Sequence, residues 1–500
     1  MAVADTAYDV VVVGAGNAGL SAALSARETG ARVLLLERAP EGWRGGNSHF
    51  TGGAFRFPYR GVDDVDPVVG GLSAAEREKV EVGQYTEEQF YEDVARVTEY
   101  RSDPELVGRL VERARPTMLW LHTRGGVRFA LSYGRQAFLV DGRYRFWGGL
   151  IVEVVGAGAD LIRAMFAACE RAGVDIRYEA RAQALEREAG GPVTAVRASI
   201  AGRAHTFATR AVVLAAGGFE ANPQMRAAYL GPDWDLAKVR GTPYNTGDGI
   251  RMALEIGAQP FGHWSGCHAV AWDANAPAHG DRRIADLFQK HSYPFGLIVN
   301  REGRRFVDEG ADFRNYTYAK YGREILKQPG HVAFQLFDQK VLRLLRDEYR
   351  IAEVTRAEAA TFAELAGKLE IDPDGLERTL AEYNAAVVPG AFNPSVKDGC
   401  HTEGITPKKS NWAQRLDQPP YVGYAVTCGI TFTFGGLRIT PDTAVLDTEG
   451  RELPGLYACG ELVGGLFYHN YPGGSGLMAG AVFGRLAGGA AGAHALAGRG

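Results

Sequence analysis

The apolar run Tyr8-Asp-Val-Val-Val-Val13 breaks directly into Gly14-Ala-Gly16-Asn-Ala-Gly19, and apolar positions then recur at helical spacing through Ala23. That pattern predicts a strand, a tight turn and a helix start. A second apolar run, Val33-Leu-Leu-Leu36, ends on Glu37. Residues 60–85 read as loop, and 87–122 as two amphipathic helices with charged outer faces. The run 151–155 enters Gly156-Ala-Gly158 and leads into an apolar helix over 161–169. Short strands follow at 174–178 and 180–185, then a strand over 210–216 ending in Gly217 and Gly218, and a helix over 250–256. From about residue 260, Trp, His and Tyr fall at irregular spacing, with strands at 296–301 and 331–338 and helices at 340–346, 362–369 and 376–388. Strand-and-glycine texture returns near residue 421. The chain closes on a small-residue helix over 478–490, and the alanine- and glycine-rich tail after residue 488 is expected to fray.

The first glycine cluster carries a specific chemistry. Gly14 and Gly16 let the backbone approach a ligand, Gly19 lets helix and strand pack closely, and the free N–H groups at the helix start, around Asn17 and Ala18, suit a pyrophosphate. Glu37, about 20 residues on, is placed to take ribose hydroxyls. Together these predict a dinucleotide site. The run at 151–161 imitates it but has Leu161 in place of the third glycine and no following acid, so no second nucleotide site is expected. The loop from Arg44 to Ala54 sets Asn47, Ser48 and Thr51 between two glycine pairs, which suits amides meeting the far end of the same cofactor.

Charge and composition narrow the classes. The 500 residues carry a formal net charge of -4, which gives no electrostatic case for nucleic acid or an anionic membrane surface. The five cysteines include no C-x-x-C pair, so no metal centre is predicted. No signal-peptide pattern and no run of about 18 apolar residues stand in the sequence, and a cytoplasmic protein without a membrane span is the default expectation.

Taken in order, Gly14-x-Gly16-x-x-Gly19, Gly45-Gly-Asn-Ser48, Ala215-Ala-Gly-Gly218, Thr246-Gly-Asp-Gly249, Asn300-Arg-Glu-Gly-Arg-Arg-Phe-Val-Asp-Glu309 and Gly455-Leu-Tyr-Ala-Cys-Gly-Glu461 resemble the flavoprotein family of fumarate reductase, succinate dehydrogenase and 3-ketosteroid dehydrogenase. The resemblance covers nearly the whole chain and looks most like the tricarballylate dehydrogenase branch. It implies an α/β fold: a Rossmann-like FAD-binding domain of the GR2 type over 1–255 and 413–500, with an inserted α+β capping domain over 256–412. It implies FAD as cofactor, held noncovalently by Gly14, Gly16, Asn17, Ala18, Gly19, Glu37 with Arg38, Gly45 to Ser48 (Gly46 and Asn47 between them), Gly52, Gly53, Ala182, Ala216, Gly217, Gly218, Thr246, Asp248, Gly460, Glu461, Ser475 and Leu477. His49 sits near the position where membrane-complex relatives attach FAD covalently; soluble relatives hold the cofactor without that bond.

The resemblance also assigns a reaction, in which a C=C bond forms beside a carboxylate or carbonyl, hydride leaves for flavin N5 and a proton leaves for a base on the cap. Tricarballylate to aconitate is the specific expectation; the alternatives are 3-ketosteroid or natural-product enone dehydrogenation, a fumarate-reductase-like ene reduction, or an electron-transfer subunit of a complex. A separate redox protein, quinone or oxygen would take the electrons. Arg314 is implied as the proton carrier and His268 as a substrate-carboxylate ligand. Two motifs depart from fumarate reductases: Thr431 stands where they have a histidine, and Asn470-Tyr-Pro-Gly-Gly474 lacks their arginine, which removes the usual dicarboxylate clamp. Tyr471 instead is similar to the Tyr-Pro-Gly of ketosteroid dehydrogenases. The relay acid and arginine upstream of Asn300 are also missing, with Gln289, Lys290, His291 and Ser292 there. Phe55, Tyr59, Phe432 and Phe467 are the expected aromatic walls.

Overall fold

The computed structural model describes residues 3–497. The opening strand, β1 (Val3–Val13), turns through Gly14 at φ 99° into helix α1 (Asn17–Glu28) and returns as β2 (Val33–Leu36). β1 pairs in parallel with β2 on one side and with β3 (Arg203–Leu214) on the other. Val10 to Val12 and Leu34 to Leu36 are buried on both faces, which is why these strands read as unbroken apolar runs. Val193–Ile200 and Ala180–Arg187 extend the sheet beyond β3 as antiparallel neighbours, and Asp175–Arg177 adds to β2.

The second sheet is built on two long strands, β4 (Pro260–Asp273) and β5 (Tyr421–Leu437), which pair antiparallel along most of their length. Val332–Phe337 and Arg356–Ala359 also pair with β5, and Leu297–Asn300 with Val332–Phe337. β4 is where the sequence shows only irregular aromatics. From Cys267 to Asp273 every residue is buried, so the strand has no alternating pattern to display. Helix α2 (Tyr318–Leu326), which no sequence signal marked, packs on β4, with Gly322 fitting against the backbone of Ala269 and Val270. From β5 the chain passes to β6 (Glu452–Ala458), which pairs in parallel with β3 in the first sheet.

Three further segments differ from their sequence reading. Residues 60–85 contain two short helices, Val62–Val69 and Ala74–Lys79, the second closed by a Ser73/Glu76 capping box. The segment expected as a helix over 340–346 is a 3₁₀ stretch, Gln339–Leu344. The tail expected to fray instead continues the last helix, α3 (Ser475–Ala497), as far as Ala497. Gly480, Gly484, Gly488 and Gly492 recur every four residues and lie against Asn17, Ala18, Ser21, Ala22 and Thr29 of α1 and its C-cap; a Cβ on Gly488 would sit 2.1 Å from the Ala22 carbonyl oxygen. Close backbone approach holds this helix in place where propensity would not.

Candidate active site

Two adjoining cavities run from the end of β1 to the space between the sheets. The outer one is lined by the turn Gly14 to Ala18, by Glu37 and Arg38, and by Gly46 to Ser48, Ala182, Ala216, Gly217 and Asp248. The inner one adds Gly52, Gly53, Leu477 and residues of both sheets. Asn17, Ala18, Asn47, Ser48, Gly460 and Glu461 line both, so the two join into one elongated space.

The expected cofactor residues divide into those that face this space and those that shape it. Gly19, Gly45, Gly218, Thr246 and Ser475 line neither cavity. A Cβ on Gly19 would lie 1.8 Å from the Gly14 carbonyl oxygen; one on Gly45 would enter Ile162, and one on Gly218 would lie 2.2 Å from both Glu461 Oε1 and Thr433 Oγ1. Thr246 receives a hydrogen bond from Arg38, whose guanidinium also pairs with Asp248 at 3.0 Å. Ser475 opens α3 with a buried hydroxyl that has no partner. Replacing Gly19 by Ala therefore has a definite expected outcome. The methyl displaces the first turn of α1 from β1, thermal stability falls by about 3 kcal/mol, and the purified protein loses its bound cofactor, read as the flavin-to-protein absorbance ratio.

The outer cavity suits a dinucleotide on observations independent of motif. Gly16 caps α1 in an extended conformation without a side-chain cap, and a Cβ there would meet only the Ser48 hydroxyl, at 3.5 Å, and the Gly45 oxygen. The Asn17 amide oxygen is buried without a partner. Glu37 lines the cavity from the end of β2; burial pushes its carboxyl up while the amides of Ala39 and Ala15 hold it at 2.8 and 3.2 Å. His49 lines neither cavity. Its Nδ1 lies 3.1 Å from Arg282, and burial together with that cation pulls its pKa down to about 4.

At the inner end, Arg314, Tyr471, His268 and Thr431 all line the same cavity. His268 lies on β4 opposite Phe432 of β5, with register shifts on both sides of it, and such bulges re-aim a side chain. Neither of its ring nitrogens has a partner; Tyr318, Tyr471 and Phe432 surround the ring at 5.0, 4.8 and 5.2 Å. Burial, then Arg240, hold it well below the ordinary histidine range, so it is neutral. Arg314 follows the 300–309 strand-and-turn segment, is 6% exposed, donates to the carbonyl of Arg135, and leaves Nε buried without a partner. Burial lowers its pKa, against the raising charge of Glu348, and Arg135 adds to the lowering. The hydroxyls of Tyr471 and Tyr318 are hydrogen-bonded to each other.

Several groups here escaped the sequence reading. Arg135 and Arg240 converge on Asp286, Arg240 through Nε at 3.0 Å, and Arg240 also donates to the Thr431 hydroxyl at 3.1 Å. The missing motif arginine and relay acid therefore do not leave the cavity without cations or without an acid. Their substitutes come from a short helix at 133–136, from residue 240 and from a 3₁₀ turn at 285–288, none of which carries a spacing signal. Gly52 owes its identity to this cluster, since a Cβ there would lie 1.6 Å from the Arg135 guanidinium. His291 and Gln289 line the cavity, whereas Lys290 turns away and donates to four backbone carbonyls. Of the expected aromatic walls, Phe432 and Phe467 line the cavity; Phe55 packs on Phe129 and Tyr59 on Tyr85 in the core.

Known proteins carry the same architecture. A probable fumarate reductase of Shewanella frigidimarina is 31% identical over 496 residues, spanning 97% of this chain and 75% of that protein. The 4-oxocyclohexanecarboxylate 2-dehydrogenase of Sinomonas cyclohexanicum is 28% identical over 561 residues, spanning 96% and 91%. The structure of the open conformation of a flavocytochrome c3 fumarate reductase superposes with a TM-score of 0.73 at 26% identity, covering 99% of this chain and 79% of that one. The pattern of the family described as FAD binding domain matches residues 9–477, and the chain belongs to that family, as an FAD-dependent oxidoreductase acting on carbon–carbon single and double bonds.

Proposed function

We propose that the protein is a dehydrogenase that forms a C=C bond beside a carboxylate in a substrate carrying more than one anionic or carbonyl group, with tricarballylate to aconitate as the type reaction. The observation that carries this reading is the excess of buried cation. Arg135, Arg240 and Arg314 line the inner cavity, and the one carboxylate beside them in its lining, Asp286, pairs with the first two, while buried Glu348 acts on Arg135 and Arg314 from outside the lining. Unpaired buried charge is costly, and an anionic substrate is the partner that relieves it.

In this reading Arg135 and Arg240, steadied on Asp286, hold a carboxylate, and Thr431 adds a hydroxyl beside it. FAD supplies the hydride acceptor when bound, held by α1, Glu37, residues 45–48 and the 460–477 stretch. Arg314 takes the proton from the neighbouring carbon. Its guanidinium suits that task because burial lowers its pKa in spite of the nearby charge of Glu348. In the Tyr471–Tyr318 pair one hydroxyl donates to the other, and the remaining O–H donates to the oxygen on which enolate charge develops. Phe432, Phe467 and the neutral ring of His268 keep water from that carbon. The second sheet with α2 serves as the cap, and electrons leave to a separate acceptor.

A second reading rests on the tyrosine pair. Two buried hydroxyls facing one cavity also suit polarisation of a ketone, as in a 3-ketosteroid or enone dehydrogenase. The name of the Sinomonas relative joins the two, since its substrate has both a carboxylate and a ring ketone. Dye reduction by the purified holoenzyme with tricarballylate, succinate, 4-oxocyclohexanecarboxylate and a 3-ketosteroid separates them. Turnover is expected with an acid. Turnover of the steroid alone, with no acid accepted, overturns the leading reading.

A further inference from the structure

Glu220 is a fully buried carboxyl group to which the reaction above gives no role. It stands on the loop after β3 and lines neither cavity, yet it is the meeting point of three others. Its Oε1 accepts from the amide nitrogens of Asn47 at 2.6 Å and Asn245 at 2.7 Å, while its Oε2 is buried with no donor to receive. The same Asn245 nitrogen lies 3.5 Å from Glu461 Oε2, so one amide bridges two carboxyl groups. Glu461 in turn accepts from the Thr433 N–H at 2.9 Å and faces both cavities.

Two carboxylates this close and this far from water repel each other strongly, so one of them keeps a proton. Oε2 of Glu220, the oxygen without a donor, is the atom left to carry it. We propose that Glu220 is un-ionised and donates from Oε2 to Glu461, so that the pair holds one proton and one negative charge where the two cavities meet. Burial, then the charge of Glu461, act in the same direction on Glu220. The other titratable groups here do not reverse this. Arg226 spends its guanidinium on the backbone carbonyls of Glu220 and Asp235, and the thiols of Cys267 and Cys428 are raised by burial and uncharged.

The neutral state gives Glu220 a positioning role. By accepting from both asparagines it turns the Asn47 amide so that Oδ1 receives the Thr242 N–H at 2.8 Å and the nitrogen also reaches the Thr431 carbonyl at 2.7 Å. Glu220 thereby ties the 45–48 loop, the 242–245 loop and β5 together around the junction. It also leaves Glu461 as the one anion of the pair, facing both cavities.

Infrared spectroscopy of the holoenzyme with isotope-labelled glutamate tests the assignment. At pH 7 the carbonyl stretch of an un-ionised carboxyl is expected in the parent, absent in Glu220→Gln and retained in Glu461→Gln. Stability gives a second reading. With the folded pKa of Glu220 raised, the parent loses stability as pH climbs above the unfolded value, because the unfolded chain releases a proton that the folded one keeps. The glutamine variant lacks that loss, so its melting temperature gains on the parent by roughly 1 °C per pH unit between pH 5 and the folded pKa. A band lost in Glu461→Gln instead of Glu220→Gln, no such band in the parent, or a melting difference that stays flat with pH overturns the proposal. Should Glu220→Gln fail to fold, the parent and Glu461→Gln spectra still decide it.

Discussion

Replacing Arg314 by Gln is expected to lower kcat by roughly 10³, within the range a positioned acid or base contributes, while the bound flavin and the melting temperature change little. The argument starts from what Arg314 lacks. Among the described residues no carboxylate pairs with it; its contacts are the Arg135 carbonyl and an Nε without a partner. A structural arginine in a buried site is normally fixed by an acid, as Arg305 is by Glu309 at 2.6 Å. Removing Arg314 therefore breaks no ion pair, and its loss registers in chemistry more than in folding. Because burial already favours the neutral guanidine, Arg314→Lys is expected to recover a fraction of the rate. Stopped-flow reduction of the flavin by substrate is the measurement. A variant whose flavin is reduced at the parental rate assigns the proton to another group, and Tyr318 is the next candidate.

The sequence and the structure agree most closely where chemistry is local. The turn from Gly14 to Gly19, the acid at the end of β2 and the loop from Gly45 to Gly53 are legible because each needs particular residues at fixed spacing along a few residues of chain. Arg314, His268, Thr431 and Tyr471 were reachable only through resemblance, yet all four line one cavity. What stayed hidden was assembled by tertiary structure. Arg135, Arg240 and Asp286 are separated by 105 and 46 positions and meet through side chains alone. β4 hid for a different reason, since a strand buried on both faces shows no period, and α3 hid behind a composition that suggests fraying. The four-residue glycine repeat of α3 was present in the sequence all along, and it becomes informative once α1 supplies the surface that those glycines approach.

Arg240 is where the two substrate readings part. Arg240→Gln is expected to raise KM for a carboxylate substrate by roughly 30- to 150-fold, equivalent to about 2–3 kcal/mol for the loss of a buried charge-assisted contact, with kcat within a few-fold of the parent. Arg240 holds Asp286 together with Arg135, so the acid keeps one cation after the substitution and the cavity is not left with an unpaired anion. The lost guanidinium also frees the Thr431 hydroxyl, which can then turn toward bound substrate or water. A neutral enone or ketosteroid makes no use of this cation, and its KM is expected to stay unchanged. Steady-state kinetics with one acid and one neutral ketone on the same preparation therefore read the role directly. Equal effects on both substrates, or a drop in melting temperature without any change in KM, identify Arg240 as a support for Asp286 that never meets the substrate, and the cation excess then narrows to Arg135 and Arg314.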